Sequence, residues 1–366
     1  MSADNLKSIL SLASQQNASD IHIKHDSCVV LRINSKLHNC DFVTDKACIE
    51  KFIKTMINSE DQYMTLKKTG DLDLSYVEKD VGRFRVNIHK QKGTPAINMR
   101  LVKSKILDFE GLGLPPQIEK VPHFERGIIF VTGTTGSGKS TTLASIIEYI
   151  NTHDKKHIIT VEDPIEYEFN DKNSFIEQRE VGLDTISFDS AFIHSLRQDP
   201  DIIVIGEMRD RESFDCALKA ADTGHLIFST LHTLNASQSI NRILDFYDAG
   251  EHKAIMSALS SNLSAIISQR LIPKITGEGV VPAIEIMFNT PVIQGLLRDN
   301  RLSKLPSAIE GSRNEGMQSF NQALVDLVNE GKISEEEAFK NASNPEALKM
   351  QLKGVFLGND QNILGS

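Results

Sequence analysis

No two cysteines in this chain stand in a C-x-x-C spacing. The four present, Cys28, Cys40, Cys48 and Cys216, are scattered, which argues against a zinc ribbon or a disulfide framework and fits a reducing compartment. A dense block of Lys or Arg is missing too, and the formal net charge is −9 over 366 residues, so nucleic acid is not expected as the main partner. No apolar run approaches the roughly 18 to 20 residues needed to span a bilayer. The first residues, Met1-Ser2-Ala3-Asp4-Asn5-Leu6-Lys7, lack a basic stretch followed by an apolar core. We therefore expect a cytosolic chain without a transmembrane segment, still able to dock on a membrane machine. Internal repeats and low-complexity segments are also lacking. What remains is ordinary globular composition, 40% hydrophobic and 24% charged, in a length that favours two domains with cores of their own.

One run carries most of the functional information. Gly133-Thr134-Thr135-Gly136-Ser137-Gly138-Lys139-Ser140 fits the phosphate-loop pattern G-x-x-x-x-G-K-[ST]. It has the flanks such a loop needs. Gly127-Ile128-Ile129-Phe130-Val131-Thr132 reads as a buried strand, and Leu143, Ile146, Ile147 and Ile150 recur at helical spacing. The glycines let backbone N–H groups curl around the β- and γ-phosphates at a helix N-terminus, where the dipole favours anions. Lys139 adds a point charge, and the Ser140 hydroxyl is placed to ligand Mg²⁺. The cofactors expected are ATP and Mg²⁺.

Along the chain, residues 1–102 mix helix-like and strand-like patterns. Leu6, Ile9, Leu10 and Leu12 predict a short helix, as does the stretch Cys48 to Ile57; Ile21–Ile23, Val29–Ile33, Leu72–Tyr76, Gly82–Ile88 and Ala96–Leu101 predict strands. A small α/β domain results. Residues 103–116, with Gly111, Gly113 and Pro115-Pro116, read as an interdomain connector. Over 117–290, apolar strands at Ile128–Val131, His157–Val161, Ile202–Ile205 and Leu226–Ser229 alternate with helical patterns, which implies a largely parallel sheet wrapped by helices. Residues 291–366 read as helical, with Ser334 and Glu337 forming a capping box.

Hydrolysis needs more than a phosphate loop. Asp201-Ile202-Ile203-Val204-Ile205-Gly206-Glu207 is an apolar strand ending in a carboxylate, the pattern that brings an acidic group beside the metal; the bland alternative is a strand-end residue facing water. Glu162-Asp163-Pro164-Ile165-Glu166 places three carboxylates at another strand terminus, where Mg²⁺ or a water it polarises would offset their repulsion, unless the run is a plain acidic turn. His225 and His232 bracket a further apolar strand. Either could sense a γ-phosphate, or each is a hydrogen-bonded strand-end histidine. Strand alternation puts Arg83 and Arg85 on one face, with Arg100 at the end of the next strand. Such arginines are commonly structural, but one delivered from another domain can stabilise transition-state charge.

Taken together, Gly133–Thr142, Thr160–Tyr167, Gln178–Thr185, Leu196–Asp201, Gly206–Asp210 and Thr223–His232 resemble the secretion and pilus superfamily of hexameric motor ATPases, most closely the type IV pilus retraction ATPases of the PilT/PilU twitching-motility family. The resemblance runs from about residue 5 to 355 and implies an α/β fold. That fold would be a RecA-like P-loop ATPase core with a smaller PAS-like α/β amino-terminal domain and a helical carboxy-terminal tail. It also implies that Glu162 polarises the attacking water and that Glu207 supports Mg²⁺, while His225 and His232 lie near the γ-phosphate. Arg85 and Arg100 would be the arginines presented to the nucleotide by the amino-terminal domain, and Thr141 would extend the nucleotide-binding run. The implied assembly is a homo-hexamer pushing on an inner-membrane platform protein from the cytoplasmic side, alone or with a paralogous retraction ATPase. Two departures matter. Gln294 stands where retraction enzymes typically carry an arginine, and the segments Val181–Thr185 and Gly316–Leu324 lean towards the accessory, PilU-like branch. An assembly or type II secretion ATPase is the first rival; it would usually carry a four-cysteine metal element, but Cys216 is the only cysteine after residue 100. The second is a nucleotide-binding scaffold subunit with little turnover.

Overall fold

The computed structural model describes residues 4–33 and 36–353. The start of the expected amino-terminal domain, residues 1–3, and the end of the expected helical tail, residues 354–366, lie outside the described residues. By its contacts the chain divides into two compact units, Met1–Lys105 with Pro164–Phe169, and Ile106–Asp163 with Asn170–Ser366. The cut after Lys105 lies inside the expected connector. Most of that connector, with a short helix at Phe109–Leu112, belongs to the second unit, and Pro164–Phe169, which begins inside the acidic run and was expected in the core, belongs to the first. There Lys103 bridges Tyr167 and holds its ammonium 5.6 Å from the Tyr167 ring.

The first unit runs α1 (Asp4–Gln15), β1 (Asp20–Lys24), β2 (Ser27–Ile33), β3 (Lys36–Thr44), α2 (Lys46–Met56), α3 (Glu60–Thr69), β4 (Asp71–Glu78), β5 (Gly82–Gln91) and β6 (Thr94–Leu101). Its antiparallel sheet has the order β3-β2-β1-β6-β5-β4. Period-two alternation sends Phe84, Val86 and Ile88 of β5 into a core shared with Leu6, Ile9 and Leu10 of α1 and Ile49, Phe52 and Met56 of α2. Asp45 starts α2 by accepting the Cys48 N–H at 2.7 Å. Two elements were not predicted, and neither has a core face to announce it. The edge strand β3 is mostly exposed; α3 buries no residue and is defined by its caps, the Ser59 hydroxyl and a left-handed Gly70.

The second unit opens with a short α4 (Phe109–Leu112) and a 3-10 helix at Pro116–His123, then continues β7 (Gly127–Thr132), α5 (Lys139–His153), β8 (His157–Glu162), β9 (Phe175–Glu180), α6 (Phe188–Ser195), β10 (Ile202–Ile205), α7 (Arg211–Asp222), β11 (Leu226–Leu231), α8 (Ala236–Leu244), α9 (His252–Asn262), β12 (Leu263–Pro273) and β13 (Val280–Phe288). Its sheet has the order β13-β12-β7-β11-β10-β8-β9 and is parallel except for β13. β7, β10 and β11 are buried at every position, as strands covered on both faces by crossover helices must be. The tail supplies α10 (Pro291–Arg298), α11 (Leu305–Gly311), α12 (Phe320–Asn329), α13 (Glu335–Asn341) and α14 (Pro345–Leu352). The capping box expected at Ser334 is half made. Its hydroxyl accepts the Glu337 N–H, but the Glu337 carboxylate pairs with Lys340 instead of reaching back. The complete box is at Ser319 and Gln322, ahead of α12. Among the described residues no helix is long and apolar enough to cross a membrane.

Candidate nucleotide site

Register decides which residues meet. Leu231 of β11 lies opposite Thr132 of β7, Ser229 opposite Ile205 of β10, and Ile205 opposite Val161 of β8. The carboxyl ends of four adjacent parallel strands therefore release the phosphate loop, His232, Glu207 and Glu162 along one edge, where open α/β sheets bind ligands.

Between β7 and α5 the loop follows the path its glycines allow. Gly133 and Gly138 have φ of 151° and 88°, and a Cβ would come within 2.6 Å of the Gln269 carbonyl at the first and 2.8 Å of the Gln269 amide nitrogen at the second. Thr134, Thr135 and Gly136 are exposed, whereas Ser137 and Lys139 are buried. The Lys139 ammonium folds back to donate to the carbonyls of Gly133 at 3.0 Å and Thr134 at 3.1 Å. The Ser137 hydroxyl is buried with no hydrogen-bond partner. An orphaned hydroxyl beside a lysine at a helix N-terminus suits an incoming phosphate, so these residues fit the expected nucleotide. Ser140 and Thr141 follow in the first turn of α5, half-buried.

Both carboxylates are held. The Glu162 carboxylate accepts from the Thr160 hydroxyl at 2.7 Å and the Gln178 amide at 3.2 Å. Glu207 accepts from Arg209 at 2.9 Å, and its other oxygen lies 3.4 Å from His232 Nε2. The turn carrying Glu207 is tied to β11 by the Thr230 hydroxyl, which donates to the Gly206 carbonyl at 2.7 Å. Thr160, Gln178 and Arg209 were not singled out as site residues. Thr160 had a signal, standing two positions before Glu162 and so on the same strand face.

His225 is not brought to this edge, which corrects the pairing of the two histidines implied by the resemblance. It precedes β11 and its ring packs against the Thr223 hydroxyl and the Ala220 carbonyl, each 3.1 Å from Nδ1. A whole strand, roughly 20 Å at the usual rise, separates it from His232. The opposite edge also carries an open cleft of about 710 Å³ lined in part by Arg126, Asp222, Asn289 and Gln294. There Gln294 donates to the Asn289 carbonyl at 3.1 Å, a local tie for the residue that departs from the family pattern.

In the first unit Arg85 and Arg100 are direct cross-strand neighbours on the polar face of the sheet, and both are exposed. Arg100 is tethered on its other side, where its guanidinium donates through Nε and Nη2 to the Asp20 carboxylate at 2.8 Å. Arg32 approaches the same carboxylate at 3.7 Å. Burial pushes the Asp20 carboxyl up, but hydrogen bonds from Ser19 and Arg100 and the nearby positive charges outweigh it, and the group titrates below the ordinary carboxylate range.

A glycine loop at a helix N-terminus, opposite strand-end carboxylates on a parallel sheet, defines a P-loop nucleotide-binding protein. The model of the Type II/IV secretion system protein family matches residues 2–338, and the chain belongs to that family. Its similarity extends to the type IV pilus retraction ATPase PilT of Pseudomonas aeruginosa, 39% identical over 93% of this chain and 99% of the relative. The type IV pilus ATPase PilU of the same organism is 38% identical over 81% of this chain and 78% of its own length. A crystal structure of the pilus retraction motor PilT with bound ADP superposes with a TM-score of 0.86 at 40% identity, covering 94% of this chain and 98% of that one.

Proposed function

We propose that this chain is an ATPase that powers type IV pilus retraction, with its chemistry at the carboxyl edge of β7, β11, β10 and β8. The observation that carries the reading is the convergence, by strand register, of the phosphate loop, Glu162, Glu207 and His232 on that edge. Backbone N–H groups of Gly136 to Ser140, with the Lys139 ammonium, hold the β- and γ-phosphates. Ser140 and, through water, Glu207 would hold Mg²⁺, whose contribution when bound is to neutralise phosphate charge. Glu162, oriented by Thr160 and Gln178, positions and polarises the attacking water. His232 reads the same region through its approach to Glu207. Arg85 and Arg100 reach the nucleotide of a neighbouring subunit, which requires a ring; a homo-hexamer on the cytoplasmic face of the inner membrane, pushing on a platform protein, is the assembly that suits a retraction motor.

Steady-state phosphate release by the purified chain, beside Glu162→Gln and Lys139→Ala, tests the reading. Wild type is expected to turn over at least about a hundredfold faster than either variant. Equal rates in all three would sink it and favour a scaffold subunit.

A further inference from the structure

Gln269 sits on β12, the strand that flanks β7 away from the catalytic carboxylates, and is only 4% exposed. Both ends of its amide are used. Nε2 donates to the Ser137 carbonyl at 2.8 Å, and Oε1 accepts from the Thr142 hydroxyl on α5 at 2.6 Å. Its main-chain carbonyl, with the Ser137 hydroxyl, is what a Cβ at Gly133 would strike, and its Nε2 is what a Cβ at Gly138 would strike. One residue thus touches the beginning and end of the phosphate loop and the helix that follows. Alongside it Ser268 accepts from the Thr132 hydroxyl at 2.9 Å, so β12 backs the strand end as well.

The loop has no ladder of its own to fix its peptide planes, yet anion binding requires its N–H groups to converge. A trans peptide unit points its N–H opposite to its C=O. Drawing the Ser137 carbonyl towards β12 turns the Gly138 N–H the other way, away from β12, where it is free to converge with the other loop N–H groups on an anion. The Ser137 carbonyl can only accept, so nitrogen and not oxygen faces the loop, and the Thr142 hydroxyl donates to the oxygen that remains.

We propose that Gln269 is a positioning residue of the nucleotide site: its buried side-chain amide sets the phosphate loop in its anion-binding conformation through Ser137 and Thr142. This rests on the phosphate loop being the nucleotide site, as proposed above. A carboxylic acid in its protonated form offers the same pair, one donor and one acceptor, whereas a carboxylate offers no donor and sets a negative charge against the loop. The charged groups on the neighbouring elements are already engaged. Lys139 is held by loop carbonyls, and Arg270 lies over the Phe320 ring at 3.9 Å. Glu285, which accepts the Ala236 N–H at 2.9 Å and is pushed up to about 7, titrates in wild type and variant alike, so the comparison with wild type in the same buffer removes its effect.

The experiment is binding of fluorescent N-methylanthraniloyl-ADP to the full chain at about pH 6 and about pH 8, with melting temperatures without nucleotide as a check on folding. Wild type should bind, and Lys139→Ala should bind far more weakly; if those two are alike, the nucleotide reading fails and this proposal with it. Gln269→Met, close in volume but with neither donor nor acceptor, should bind about tenfold or more weakly at both pH values. Gln269→Glu should approach wild type at the lower pH and lose about tenfold or more at the higher, measured against wild type in the same buffer. A folded Met variant that binds like wild type overturns the proposal while leaving the nucleotide site intact, as does a Glu variant whose affinity relative to wild type ignores pH. Should the Met variant fail to fold, the Glu titration decides alone.

Discussion

At the scale of single residues, the site divides into groups named by a local pattern and groups that only the fold assembles. The run Gly133 to Ser140 stands out as a candidate because a phosphate loop is built from neighbours in sequence, and Glu162 and Glu207 stand out because each ends an apolar run. Arg100 was legible as a charged strand residue, yet its present partner was not, since Asp20 lies 80 residues away. If Arg100 stabilises transition-state charge, Arg100→Ala should leave nucleotide binding almost unchanged while lowering turnover roughly 10³-fold. Equilibrium binding and single-turnover hydrolysis on the same preparation separate the two effects; lost binding with unchanged turnover per occupied site would place Arg100 elsewhere. Thr160 could have been found from strand parity, but Gln269 could not: its bond to Thr142 spans 127 residues, and nothing around it in sequence marks it. The pairing of His225 with His232 comes from the resemblance alone: a spacing of seven across an apolar run already puts the two at opposite ends of a strand, and the extended β11 sends them to opposite edges of the sheet.

At the scale of elements, buried apolar runs announced themselves and exposed ones did not. The four central strands of the second unit were read correctly because burial on both faces leaves an unbroken aliphatic string, while β3 and α3 bury too little to impose a period. The polar face of the first sheet is organised by cross-strand rows. One row runs Arg32, Asp20, Arg100, Arg85 and Ser75 across five strands, setting Arg32 and Arg100 on either side of a single carboxylate with Arg85 beyond Arg100. Arg85 and Arg100 directly opposite one another oppose pairing of β5 with β6, and Asp20 offsets that repulsion from the far side. The Arg100 side chain is 65% exposed, so water and salt screen the pair and its contribution should be modest. A double-mutant cycle of Asp20→Ala and Arg100→Ala, followed by urea unfolding, should give a favourable coupling of about 1 kcal/mol that shrinks in high salt. A coupling of zero at low salt would mean that Asp20 does not restrain Arg100 in solution.

At the scale of the whole molecule, the change of rhythm near the connector is what suggests a division there, whereas nothing in the sequence suggests the grouping of Pro164–Phe169 with the first unit, which depends on which side that segment pairs with. Stability carries a further signature that composition hides. Glu285, on β13, is almost fully buried and caps α8 by accepting the Ala236 N–H, so the carboxyl lies within the core beneath the helix that follows His232. Burial pushes it up to about 7, against the Ala236 hydrogen bond and the charge of Arg270. The unfolded chain releases this proton near the ordinary value of 4.5. Between the two values the folded state holds a proton that the unfolded state has lost, so unfolding releases it, and stability falls as pH rises through that window. The contribution is complete below about pH 4.5 and lost above about 7, with an upper limit on the order of 3 kcal/mol. Glu285→Gln keeps an acceptor for the Ala236 N–H and removes the titration. Its melting temperature relative to wild type should therefore climb from pH 5 to about pH 7 and level off by pH 8, by several degrees in total. Curves that run parallel across that range would show that Glu285 keeps an ordinary carboxylate in the folded chain, with water or a neighbouring cation reaching it beneath α8.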